Sequence, residues 1–91
     1  MQEIINNEAA GRFETQVDGH NAFLSYRRAG AVIVFLHTEV PESAQGQGIG
    51  GELARAALDY ARATHLRVVP RCPFVANYIQ RHPEYSDLLH L

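Results

Sequence analysis

The sequence predicts an α/β (α+β) fold, a mixed and mainly antiparallel sheet carrying two main helices, and three observations predict it. Residues 12–17, RFETQV, alternate apolar and polar side chains at the period of a half-buried strand. Residues 31–36, AVIVFL, are apolar without a break, as in a strand covered on both faces. From Gly48 to about Ala63, Ile49, Leu53, Ala56, Ala57 and Tyr60 recur at helical spacing with Glu52, Arg55, Asp59 and Arg62 outside them.

The remaining elements fall between these in order. The strand RFETQV meets turn chemistry in DGHN, so AFLSYRR returns beside it as a hairpin. A second turn at Ala29 and Gly30 leads into AVIVFLHTEV, a third strand expected at the centre of the sheet. After the long helix, LRVVP reads as a short buried strand. PFVANYIQRHP reads as a second helix, opened by Pro73 and closed by the restriction that Pro83 places on His82. EYSDLLHL ends the chain in a short turn. This register puts Ile33, Val34, Phe35, Leu53, Leu58, Val68 and Phe74 in the core, and Glu42, Glu52 and Arg62 in water.

Composition bounds the function. The 91 residues, 46% hydrophobic, suffice for a single domain over 1–91, and neither a repeat nor a linker interrupts them. The formal net charge of -2 provides no basic field for nucleic acid or an anionic membrane. One cysteine, Cys72, excludes an intramolecular disulfide framework and a multi-cysteine metal site, and fits a reducing cytoplasm. His20, His65, His82 and His90 are scattered rather than set at ligand spacing, so no metal is expected. The first residues lack the pattern of a leader, and no segment approaches the ~20 apolar residues of a membrane span.

The stretch HTEVPESAQGQGIGGEL concentrates four glycines, at 46, 48, 50 and 51, where the long helix begins. Glycine costs conformational entropy, so such a cluster implies close approach to the backbone. A helix N-terminus offers unpaired N–H groups and partial positive charge, which suits phosphate. GQGIGG fits G-x-G-x-x-G, but a dinucleotide fold needs that motif directly after the first strand of a βαβ unit, with an acid about 20 residues on. Here hairpins precede it, five residues separate it from the strand, and the next strand ends in Val69 and Pro70. A P-loop fails because no lysine follows the last glycine.

Gln45-x-x-Gly48-x-Gly50, between a strand and an amphipathic helix, resembles the acetyl-coenzyme A pyrophosphate loop of the GNAT superfamily of N-acetyltransferases. HTEVP, GQGIG, VVPRCPFV and YIQRHPEY, in that order, resemble a small GNAT-like family of about this length, over residues 12–85. The resemblance implies a minimal GNAT-like fold. It implies that amides of Gln45, Gly46, Gln47, Gly48, Ile49 and Gly50 hold the pyrophosphate of acetyl-CoA, and that the central strand splays from its neighbour to admit pantetheine, which pairs with backbone near Thr38, Glu39 and Val40. One departure stands out: the helices that wall the acceptor side in larger members are replaced by the DGHN turn.

Acetyl transfer to an amine needs a neutral amine, stabilisation of the thioester oxygen, and a proton for the thiolate. Period-two alternation puts Phe35, His37 and Glu39 on one strand face. Glu39 or His37 is then either the base or, respectively, a solvated strand end and a hydrogen-bonded edge residue. Cys72 precedes a helix whose dipole favours a thiolate, and reads either as an acetyl carrier or as a small packed hydrophobe. The resemblance puts it near the thioester in both cases. Tyr78 stands where the superfamily carries a tyrosine that protonates the coenzyme thiolate; its alternative is core packing. Asn77 binds pantetheine or faces water, and Arg71 and Arg81 meet phosphates or only solvent.

The resulting expectation is an acetyl-CoA-dependent N-acetyltransferase working by direct attack of an amine, from a small molecule or a protein, in a monomer or homodimer. The rivals are a non-catalytic acyl-CoA-binding or regulatory module and a structural domain without ligand.

Overall fold

A computed structural model describes residues 3–90. Five strands, β1 (Ile5–Asn7), β2 (Arg12–Val17), β3 (His20–Ala29), β4 (Val32–Glu39) and β5 (Arg67–Pro70), form one sheet in the order β1-β2-β3-β4-β5. The first four are antiparallel and β4 pairs with β5 in parallel. Helices α1 (Ile49–Ala63) and α2 (Pro73–Arg81) occur where the periodicity puts them, with 3-10 turns at Glu42–Ala44 and Pro83–Leu88.

The β2–β3 hairpin turns through Asp18 at φ 52 and Gly19 at φ 80, the two left-handed residues that a two-residue turn needs to match strand twist. Phe13, Thr15 and Val17 on β2, Ala22, Leu24 and Tyr26 on β3, Ile33 and Phe35 on β4 and Val68 on β5 form the buried face. The buried Thr15 hydroxyl donates to the Glu3 carbonyl at 2.7 Å. Leu53, Ala54, Ala57, Leu58 and Ala61 of α1 cover this face, and Val75 and Ile79 turn inward from α2. The final turn is tied to α1: Arg62 donates to both Asp87 carboxylate oxygens at 3.0 Å, and the Tyr85 hydroxyl donates to Asp59 Oδ1 at 2.7 Å. Beyond it, the His90 amide donates to the Val68 carbonyl at 2.9 Å and shields the outer edge of β5.

Four expectations are corrected. Strand β1 lies ahead of the first one predicted, so the apolar run is the fourth strand and β3 holds the central position. Nor is that run covered twice: the helices pack on one side of the sheet, leaving Val32 and Val34 half-buried and Leu36 41% exposed. Phe74 is 39% exposed, because α2 turns Val75 and Ile79 inward and sends Phe74 over Gly50. Glu52 is half-buried rather than solvated, whereas Glu42 and Arg62 are exposed as expected.

Candidate functional site

The site begins with one surplus residue in β4. Tyr26 pairs with Phe35 and Ser25 with His37, so Leu36 has no partner across the ladder and forms a bulge. Alternation therefore slips by one. Thr38, opposite Leu24, joins Phe35 on the helix-covered side; His37 and Glu39, opposite Ser25 and Phe23, point from the open side. The expectation that Phe35, His37 and Glu39 share a face is thereby overturned.

Beyond the bulge, β4 and β5 part. Their last pair is Phe35 with Pro70, and the Cys72 amide makes one further bond to the Phe35 carbonyl at 3.0 Å. The chain then enters α2 with Cys72 as its N-cap, while residues 36–39 of β4 run on without β5. Cys72 is 3% exposed and its Sγ lies 3.2 Å from Thr38 Oγ1, within hydrogen-bond reach.

A cavity of about 370 Å³ runs from this parting to the start of α1. Thr38, Val40 and Phe74 line the end nearer the strands, and Ala44, Gln45, Ile49 and the four glycines line the other. The lining holds no ionisable side chain. At the loop end, Gly46 (φ 87) and Gly48 (φ 80, the N-cap of α1) adopt left-handed backbone that other residues adopt only under strain, and neither has an atom within 4 Å of where a Cβ would stand. No side chain caps the helix. Its first bond runs from the Glu52 amide to the Gly48 carbonyl at 3.0 Å, so among the described residues the amides of 46–51 meet no backbone acceptor. Six donors thus gather at the positive end of a fifteen-residue helix, an arrangement suited to a phosphate group. Gly50 has a different reason to be glycine: a Cβ there would stand 2.8 Å from Phe74 Cζ. Its bareness makes room for the ring.

The remaining candidates are dispersed. Gln45 donates from Nε2 to the Val40 carbonyl at 3.2 Å, tying the loop to the end of β4. Tyr78 lies beside Gly51 and stacks on His82 with centroids 4.1 Å apart, and burial pushes its phenol pKa above the ordinary value. Asn77, Arg71 and Arg81 are exposed and outside the lining. On the open side, His37 Nε2 stands 3.2 Å from Glu39 Oε1, with the two side chains 62% and 63% exposed. Beside them lie residues that the sequence reading missed. Phe23 meets the His37 ring edge-on at 6.1 Å, Arg12 sits 5.0 Å over Phe23, and Arg12 Nε bonds Glu14 at 2.7 Å. Alternation in AFLSYRR places Phe23 and Ser25 opposite the core, but only the register brings them to His37. No cluster of three metal-ligating side chains occurs among the described residues, and no helix there is long and apolar enough to cross a membrane.

Comparison with known proteins adds a lineage to this geometry. The chain is similar to Protein NATD1 of Gallus gallus, 36% identical over 92 residues, which cover 98% of the chain and 84% of that protein. It is also similar to Protein NATD1 of Mus musculus, 36% identical over 75 residues, covering 79% and 68%. The solution structure of a GCN5-like protein from Staphylococcus aureus superimposes with a TM-score of 0.75 at 28% identity, over 97% of this chain and 87% of that one. The model of the GCN5-related N-acetyltransferases matches residues 12–88. With four antiparallel strands, a parting before α2 and an uncapped glycine loop, the chain belongs to the GCN5-related N-acetyltransferase family.

Proposed function

We propose that the protein is an acetyl-CoA-dependent N-acetyltransferase. One observation carries this reading: a single cavity of about 370 Å³ joins the free amides of residues 46–51 to the parting of β4 and β5. The amides and the α1 dipole hold the pyrophosphate, and with no cationic side chain in the lining they do so through backbone. Pantetheine follows the walls formed by Thr38, Val40 and Phe74, so the thioester reaches the mouth beside Thr38 and Cys72. Tyr78, next to Gly51 and outside the cavity lining, is the candidate proton donor to the departing thiolate; Tyr78→Phe should then lower kcat with CoA affinity unchanged by calorimetry.

Transfer proceeds by direct attack. The amine nitrogen adds to the thioester carbonyl carbon, the C–N bond forms and the C–S bond breaks. The proton lost from nitrogen passes to Glu39 or its partner His37, 3.2 Å away, and on to solvent, and the departing thiolate takes a proton in return. The exposure of His37 and Glu39 favours a second reading, a coenzyme-binding module without an acceptor site of its own. Release of free thiol on adding amines separates the two.

The donor site is tested at Gly48. Valine at a φ of 80 strains the loop and displaces its amides. Calorimetric CoA affinity should fall at least about tenfold in a Gly48→Val variant whose circular dichroism is unchanged. Unchanged affinity in the folded variant would refute the assignment.

A further inference from the structure

We infer that Phe74 is the residue that selects the acyl donor: the pantoyl unit of pantetheine, the carbon bearing two methyls beside the pyrophosphate, lies on its ring. The nucleotide beyond the pyrophosphate is left unread. The donor class is then a phosphopantetheine thioester as such, and a dinucleotide or nucleoside diphosphate is refused by the same loop. This rests on the donor reading above, and three observations deepen it.

First, the ring stands where the pantoyl unit must pass. Gly50 belongs to the stretch 46–51, whose amides meet no backbone acceptor among the described residues, and a Cβ on it would stand 2.8 Å from Phe74 Cζ and 3.2 Å from Cε1. The tip of the ring thus touches the phosphate-binding stretch itself. A ligand that runs from those amides toward the parting of β4 and β5 meets this aromatic wall as its first neighbour past the pyrophosphate. Phe74 is the one aromatic residue in the lining, and 39% of it is exposed. Two methyls laid on that surface take apolar area out of water on both sides. A ribose there would bury hydroxyls against a ring that offers them no strong acceptor.

Second, Gly50 is glycine for the sake of this ring. Gly46 and Gly48 have left-handed φ, but Gly50 lies in the first turn of α1 with ordinary backbone, so its conformation does not exclude alanine. The three atoms nearest to an added Cβ all belong to Phe74. A methyl there unseats the ring and strains nothing else. Third, the cavity ends where the nucleotide begins. At about 370 Å³ it lies near the lower end of small-molecule pockets, and none of the eight arginines lines it to meet a 3′-phosphate. Arg55, one turn along α1 from Gly51, leans to Asp59 at 4.0 Å. The lining also lacks the acid with which a dinucleotide site takes ribose hydroxyls.

The test measures affinity by calorimetry on the full chain, with circular dichroism and chemical denaturation of each variant alongside. 3′-Dephospho-CoA should bind within about fivefold of CoA, whereas NAD and ADP, which keep a pyrophosphate and lack the dimethyl unit, should bind at least about 30-fold more weakly. Gly50→Ala should lower CoA affinity at least about tenfold and leave stability unchanged or higher, because alanine favours helix. In a Phe74→Leu background, whose shorter side chain leaves room for the methyl, the same change should cost less than about threefold. A role for Phe74 in packing alone would move stability and leave affinity as it was. The inference is overturned if Gly50→Ala spares CoA affinity, if it costs as much without the ring as with it, if removing the 3′-phosphate costs more than the stated margin, or if NAD or ADP binds within it. Failure of the parent chain to bind CoA overturns the donor reading instead.

Discussion

Thr38 Oγ1 and Cys72 Sγ stand 3.2 Å apart where β4 and β5 part, and the sequence alone could not join two residues 34 positions apart. What it did give away was chemical type: a histidine, a threonine and a glutamate ending an apolar strand, and a cysteine before a proline-started helix. The 3% exposure of Cys72 argues for packing, because an acetyl carrier must reach the thioester as an accessible thiolate. Cys72→Ala should cost about 1–2 kcal/mol of stability, read from chemical denaturation, and retain acetyl transfer. Near-complete loss of transfer with a transient acetyl mass on Cys72 in the parent chain would reverse that assignment. Glu39 is as exposed as its partner His37, yet removing its basicity should slow transfer. Glu39→Gln preserves shape and hydrogen bonding while lowering kcat about 10²-fold or more, with CoA affinity unchanged by calorimetry.

Among the elements, those that announced themselves locally were legible and those fixed by tertiary partners were not. The β2–β3 hairpin was readable because alternation in RFETQV meets an Asp-Gly turn, and α1 because its apolar spacing holds over four turns. Strand β1 has three residues, INN, with no pattern of its own; it is held by Asn7 Nδ2 donating to Glu14 and by the Tyr26 hydroxyl donating to Asn6. The bulge was hidden for a different reason: HTEV looks the same whether or not Leu36 is paired, and only the β3 register decides which side His37 takes. The turn Pro83–Leu88 exemplifies docking by a polar contact. Tyr85 is buried and donates to Asp59, and burial together with that bond pushes its phenol pKa from 10.0 to about 12. A raised folded pKa means that its stabilising contribution is complete below the unfolded value near 10 and is lost as pH rises toward 12. Chemical denaturation should therefore record a fall of about 2 kcal/mol between pH 10 and pH 12. Tyr85→Phe should be less stable at neutral pH and show a shallower slope, the remainder arising from Tyr26 and Tyr78, whose phenols burial also pushes up; an equal slope in the variant would place the titrating group elsewhere.

At the scale of the whole molecule, a sheet covered on one side divides the labour. The covered side builds the core and, where β4 leaves β5, the cavity proposed to take the coenzyme; the bare side carries His37 and Glu39, the proposed base. The sequence disclosed the first half because core packing and helix starts leave periodic and glycine signatures. Of the second it disclosed the residue types, His37 and Glu39, and the missing wall at the DGHN turn, but not the face from which they point, because the β3 register sets the bulge at Leu36. The reading of the protein as a coenzyme-dependent transferase stands or falls on whether the parting and the loop form one ligand site, and a nitrogen-15 amide titration with CoA measures that directly. The account predicts the largest shifts at residues 46–51, together with Thr38, Val40 and Cys72, saturating along one isotherm. Shifts confined to other surfaces, or none at these amides at saturating CoA, would contradict it.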